Sequence, residues 1–292
     1  MKIIVSSFYK YANIKKPEKF QIQHQAYCNK LGVKGKVLVS KEGINGTISG
    51  TKKQIKKYEN DLLKNKLFSN VKFKRTTSDF HPFKKTIVKV RKEIVTSGMK
   101  VDMKKIGKHL GPKKLREMYD KKEDFIILDA RNDYEYKIGK FKNSTTSKIE
   151  TFREFKKVPE QLKEYKNKKI VMYCTGGVRC EKASAYMIKK GFRNVFQLEG
   201  GILNYIEKFP DSYFEGRCFV FDDRLSISTG KKTKDISVCE KCHKPSGRYI
   251  NCLNKYCDKL FICCEECHKK WDGCCSKTCI GKIEVLGEKC LK

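Results

Sequence analysis

The stretch KIVMYCTGGVRCEKASAYMI, from Lys169 to Ile188, constrains the chain more than any other. Lys169–Tyr173 is mostly apolar and β-compatible, bounded by lysines, and predicts a buried strand. Cys180–Ile188 carries apolar residues at helical spacing. The tight loop between them opens with Cys174, contains Gly176 and Gly177, and ends at Arg179. Such a strand-loop-helix turns successive backbone N–H groups toward one point at the positive end of the helix. A cysteine there loses its proton readily, because amides, helix dipole and guanidinium all favour the thiolate. Gly176 and Gly177 are expected to take positive φ and let the backbone approach a bound anion. The alternative for Cys174 is a buried core thiol; the glycines and Arg179 favour the reactive one. Cys180 follows the arginine and either resolves an oxidised or persulfidated Cys174 or faces the helix core.

The chain before this stretch alternates differently. Lys2–Lys10 predicts a strand, Pro17–Leu31 a helix and Lys36–Ser40 a second strand, with turn residues at Glu42–Gly46 and a returning strand at Thr47–Gly50. A lysine-rich amphipathic helix follows over Thr51–Lys64, then a strand at Val71–Arg75. This β-α-β-β-α-β order is that of a ferredoxin-like α+β domain over residues 1–95. Thr86–Val95 predicts one more strand, before a linker at Thr96–Lys105. His81 sits in a loop and reads as structural.

Charge adds a partner class. The net charge is +33, and residues 1–100 hold 24 basic against 6 acidic residues, which favours RNA or DNA as partner. Of the 66 basic residues 56 are lysine, a skew that an AT-rich genome also produces. No run approaches the roughly eighteen apolar residues of a membrane span, and the N-terminus lacks the apolar run and cleavage site of a signal peptide. The expectation is a soluble, cytoplasmic protein, with its 15 cysteines in a reducing compartment.

The middle domain, residues 107–216, predicts a helix around Leu115 and Met118, a strand at Phe125–Leu128, a broken helix over Phe152–Tyr165, a strand at Asn194–Leu198 and a helix at Ile202–Phe209. Strands and helices alternating around a short parallel sheet make this an α/β layer fold. Asp129 and Arg131 follow a strand's carboxyl end, where open α/β sheets bind ligands, and are candidates to border the Cys174 loop.

LDARNDYEYKIGKF, YCTGGVRCEKASAYM and VFQLEGGILNYI resemble a rhodanese domain, in which the active-site cysteine heads a six-residue loop. KEGINGTISG, HPFKKTIVKVRKEIVT, ETFREF, FVFDDRLS and the cysteine-rich tail extend the resemblance over nearly the whole chain, to the rhodanese-containing tRNA uridine hydroxylases. One departure is Ile138-Gly139-Lys140-Phe141, where the family usually has Gly-His. The resemblance implies formation of 5-hydroxyuridine at the tRNA wobble position, with the anticodon arm as partner, no membrane and no DNA specificity.

The tail, residues 236–292, spaces Cys239, Cys242, Cys252, Cys257, Cys264, Cys267, Cys275 and Cys279 as C-x2-C-x9-C-x4-C-x6-C-x2-C-x7-C-x3-C. Eight thiolates suit two structural zinc ions with four ligands each. A segment this short, with few large aliphatics, needs such staples. Cys263 and Cys274 each adjoin a ligand, so the register can shift by one, and the pairing of ligands stays open. A RING-type ubiquitin ligase is the weaker reading, since the usual histidine is missing.

Two principal function classes remain. In an RNA-modifying oxidase, Cys174 adds to uracil, while the amides of Thr175, Gly176, Gly177, Val178 and Arg179 and the Arg179 side chain hold the developing oxyanion. In a sulfurtransferase, Cys174 carries a persulfide to a small thiol or protein. A phosphatase is disfavoured because C-x4-R is one loop residue short. Neither flavin nor nicotinamide signatures occur, so oxygen or another oxidant must be co-substrate.

Overall fold

A computed structural model describes residues 2–286. The chain forms two compact units, Met1–Asp133 with Asn143–Lys208, and Tyr134–Lys142 with Phe209–Lys292. The expected 1–95 domain lies in the first unit and 236–286 in the second, while 107–216 is divided, its residues 134–142 and 209–216 belonging to the second unit; positions 287–292 lie outside the described residues.

The first unit holds two sheets. Its N-terminal part runs β1 (Ile3–Tyr11), α1 (Pro17–Leu31), β2 (Lys34–Ser40), β3 (Gly43–Gly50), α2 (Lys52–Lys64), β4 (Lys74–Ser78) and β5 (Thr86–Val90). The strand order β4-β1-β3-β2-β5 contains the ferredoxin-like arrangement. The fifth strand joins parallel to β2. Phe8, Val37, Ile44 and Ile48 of the sheet meet Cys28, Ile55 and Tyr58 of the helices in a closed apolar core. The Thr51 hydroxyl accepts the Gln54 amide while the Gln54 side chain accepts the Thr51 amide, a reciprocal cap that starts α2.

Two boundaries differ from the periodicity. The fourth strand begins at Lys74 rather than Val71, because Asn65–Val71 coils in successive turns that drive Phe68 and Val71 into the core. The fifth ends at Val90 rather than Val95, because the Ile94 amide is taken by Glu42 and the Glu93 carboxylate turns the chain by accepting from Ser97 and Gly98.

The chain continues with β6 (Lys108–Leu110), α3 (Pro112–Asp120), β7 (Ile126–Asp129), α4 (Asp133–Lys137), β8 (Gly139–Phe141), β9 (Thr145–Thr146), α5 (Val158–Gln161), β10 (Lys169–Tyr173), α6 (Val178–Lys189), β11 (Asn194–Leu198) and α7 (Gly201–Lys208), of which β8 and all but the first residue of α4 belong to the second unit. Strands β6, β11, β10, β7 and β9 form one parallel sheet in that order, with β10 at its centre. Ile170, Met172, Ala183, Met187 and Phe155 pack on one face of it. The segment expected as a broken helix is two 3₁₀ turns flanking the single turn α5, which has Pro159 in its first turn.

The second unit pairs β8 with β12 (Phe214–Gly216), β13 (Cys218–Phe219) with β14 (Ser226–Ile227), and β15 (Tyr249–Asn251) with β16 (Leu260–Ile262), and adds α8 (Glu265–Lys270) and α9 (Lys277–Leu286). Lys140 lies in β8 opposite Glu215. Among the described residues no helix is long and apolar enough to cross a membrane.

Candidate active site and metal centres

Cys174 stands at the carboxyl end of the central strand β10, immediately before α6. The Gly177 amide donates to its sulfur at 3.1 Å. Gly177 is the N-cap at φ 98°, and a Cβ there would lie 3.0 Å from the Tyr9 hydroxyl, so glycine alone fits this close approach. Gly176, expected to share the positive φ, does not take it. A Cβ on it would meet open space instead, so its side of the loop is unobstructed by neighbouring atoms. The helix starts at Val178, two residues before the periodicity suggested, because the Cys180 amide already bonds the Gly177 carbonyl. Arg179 therefore belongs to the first helical turn, buried, with Nη2 3.4 Å from the Thr175 hydroxyl.

The two thiols of this site are driven apart electrostatically. Burial alone would raise the Cys174 pKa, but the Cys180 thiol, the Arg179 guanidinium and the amides of Arg179 and Cys180 outweigh it and bring Cys174 down to about 5. Burial, together with the neighbouring Cys174 thiolate, pushes Cys180 well up. Cys180 is thus a neutral donor to a thiolate, and it also sits in the apolar core behind the sheet. Its two expected environments, beside Cys174 and in the core, are the same place.

Asp129 and Arg131 are wholly buried and spend their charges on one another. Arg131 Nε lies 2.9 Å from Asp129 Oδ1 and Nη2 lies 2.6 Å from Oδ2, with the guanidinium 5.6 Å from the centre of the Tyr173 ring. Asp129 pairs in register with Tyr173, the residue before Cys174, and the Ala130 amide bonds the Tyr173 carbonyl. The pair lies under the strand end that carries the loop.

Several residues at the loop carried no signal in the sequence, because they come from the N-terminal sheet. The Tyr9 hydroxyl donates to Glu181 at 2.9 Å, and the Tyr11 hydroxyl to the Val178 carbonyl at 3.3 Å. His109 Nε2 lies 3.1 Å from the same Glu181 oxygen, and the pairing holds the imidazole above its usual range. Lys182 on α6, 2% exposed, donates to Glu42 at 2.8 Å and to Glu93 at 2.7 Å, tying the N-terminal sheet to the catalytic-loop helix. The alternation of Tyr9 and Tyr11 along β1 marks one sheet face; which neighbour that face meets is a tertiary fact.

In the tail eight cysteines gather in two groups. Cys239, Cys242, Cys264 and Cys267 converge on one point, and Cys252, Cys257, Cys275 and Cys279 on another, each set within 4.8 Å. The first and third cysteine pairs make one site, and the second and fourth the other, so the module is cross-braced. Cys263 and Cys274 belong to neither group of four and donate to the carbonyls of Cys264 and Asp272. Sulfur separations of 3.7 Å (Cys242–Cys264), 3.5 Å (Cys257–Cys275) and 3.7 Å (Cys275–Cys279) match the roughly 3.8 Å edge of a tetrahedron with metal–sulfur bonds of about 2.3 Å. Both groups could hold a metal ion.

Comparison with known proteins agrees with this layout. Residues 3–94 match the UPF0176 acylphosphatase like domain, 111–208 the Rhodanese-like domain and 215–280 the Rhodanase C-terminal model. A tRNA uridine(34) hydroxylase of Cytophaga hutchinsonii is 39% identical over 275 residues, covering 93% of this chain and 88% of that one. The Bacillus velezensis protein of the same name is 42% identical over 287 residues, covering 93% of this chain and 86% of its own. The chain belongs to the tRNA uridine(34) hydroxylase family. A third member, from Chlamydia felis, is 39% identical and covers 94% of this chain and 86% of its own. The expected ferredoxin-like and rhodanese architecture is thereby that of the family.

Proposed function

We propose that this protein is an oxidoreductase that hydroxylates uridine 34, the wobble uridine of tRNA, at C5 through Cys174. The observation that carries the assignment of Cys174 is its place at the carboxyl end of the central strand, where the Gly177 amide donates to its sulfur at 3.1 Å, surroundings that favour the thiolate. Uracil C5 reacts poorly with an oxidant until electron density is pushed onto it. Addition of the Cys174 thiolate at C6 does so, leaving an enolate across C5 and the C4 carbonyl oxygen. The amides of Thr175–Arg179 and the Arg179 guanidinium face that developing charge. The Asp129–Arg131 pair acts from below by fixing the strand end, since its charges are already matched. Cys180 supplies a hydrogen to the resting thiolate. Oxygen or another oxidant is the co-substrate.

The remaining assignments follow from chemistry. Residues 1–95 and 236–292 grip the anticodon arm, whose unpaired bases can be splayed into the pocket of residues 107–216 without opening a duplex. The ions in the tail are zinc and structural, since four thiolates leave no open coordination position. The work takes place in the cytoplasm, where free thiols persist. Nucleoside analysis of tRNA from cells lacking the gene tests the reading: 5-hydroxyuridine and its derivatives should vanish and return with the wild-type gene. Unchanged nucleosides in the deletion strain would sink it, and restored thiosulfate-to-cyanide transfer as the sole phenotype would favour the sulfurtransferase class.

A further inference from the structure

Two buried cations of the first unit are held in ion pairs with carboxylates. Arg131 has Asp129, and Lys182 has Glu42 and Glu93. Lys74, at the start of β4, is 6% exposed, yet no oxygen among the described residues accepts a hydrogen bond from its ammonium. Its contact is the Tyr9 ring, 4.5 Å from the ammonium to the ring centre. Tyr9 in turn reaches Glu181 and stands against Gly177, which places this cation behind the same side chain that abuts the Cys174 loop. An unpaired buried ammonium destabilises a fold, and such groups persist where function needs them. Burial pulls its pKa down to about 8, while the charges of Cys174, Glu181 and Glu199 hold it up and Lys72 opposes them.

We propose that Lys74 is a substrate-contacting residue of the N-terminal sheet, whose ammonium donates to the C4 oxygen of the target uracil as Cys174 adds. The inference rests on uridine in tRNA being the substrate. In the step concerned the sulfur lone pair forms the S–C6 bond, the C5=C6 π pair moves to the C5–C4–O4 enolate, and Lys74 keeps its proton while hydrogen-bonding O4. No electrons are exchanged with an oxidant at this stage. Cys174 is fully buried, so the base enters only once the covering side chains shift.

The test uses full-length protein and tRNA from cells lacking the modification, with Lys74→Met and Lys74→Arg. Loss of a donor to a developing oxyanion lowers the single-turnover hydroxylation rate about 10²–10³-fold in Lys74→Met. tRNA affinity and the rate of Cys174 alkylation at pH 7 should stay within about twofold, because Lys74 is not among the main groups that hold the thiolate. Trapping on 5-fluorouridine tRNA should slow in parallel, and the melting temperature should not fall. The wild-type rate should decline above about pH 8 as Lys74 deprotonates, a limb absent from Lys74→Met but displaced upward in Lys74→Arg. Normal hydroxylation by Lys74→Met, or loss confined to tRNA affinity, overturns the proposal. So does a wild-type profile flat through pH 9, which needs no variant. Wild-type protein that leaves uridine unmodified in the same assay overturns the substrate reading instead.

Discussion

The Cys174 loop and the tail clusters use one side chain for opposite ends. At the loop a single buried thiolate is held by amides, a guanidinium and a neutral thiol. In the tail four sulfurs converge within 4.8 Å at each of two points. One thiolate surrounded by donors is stable and still nucleophilic. Four thiolates at that spacing repel, and need a cation that consumes their lone pairs. Reactivity is decided by how many sulfurs share a point, since the backbone device, an N–H aimed at sulfur, recurs in both: Lys241 donates to Cys239 as Gly177 does to Cys174.

The largest test of this contrast removes the metal. Chelation, or Cys264→Ser, should unfold the tail, because binding free energy of about 10–16 kcal/mol per structural zinc is its folding free energy. Metal analysis should find two ions per chain, and limited proteolysis after chelation should cleave within Cys239–Cys279; a metal-free tail that resists protease would erase the contrast. The converse substitution, Cys174→Ser, should leave folding and tRNA affinity intact while lowering hydroxylation at least about 10⁴-fold. Modification at the normal rate by that variant would reduce the loop to a binding cradle.

A pH experiment sharpens the point. The Cys174 pKa is depressed in the folded protein, to about 5 against roughly 8.5 unfolded. The unfolded chain therefore binds a proton that the native one lacks between these values, and stability rises with pH across that window. Relative to Cys174→Ser, the wild type should gain up to a few kcal/mol from pH 5 to pH 8.5, and none below about pH 5. Parallel denaturation curves for the two proteins across the window would show that the thiolate is not held in this way. The smallest effect is a control on the N-terminal sheet: Thr51→Ala removes half of the reciprocal cap of α2 and should cost about 1 kcal/mol in urea denaturation, with hydroxylation unchanged.

Much was legible locally. Strand β10, α1 and β11 fall where hydrophobic period and turn residues put them, because their register depends on neighbours within the same segment. The strand–loop–helix around Cys174 and the eight-cysteine spacing are likewise properties of short windows. The tertiary structure decided the rest. Asp129 and Arg131 read as candidate substrate contacts because they follow a strand; the packed sheet adds that they are buried and paired with one another. The cross-braced pairing of cysteines rests on which hairpins fold back, a choice that spacing leaves open. Lys74 is one of 56 lysines, and nothing in its neighbourhood along the chain separates it from those that coat the surface. What singles it out is burial without a hydrogen-bonded anion, beside a tyrosine that reaches a loop about a hundred positions away. Spacing along the chain fixes which atoms are neighbours in a helix or strand; charge balance in a closed core depends on contacts that spacing cannot specify.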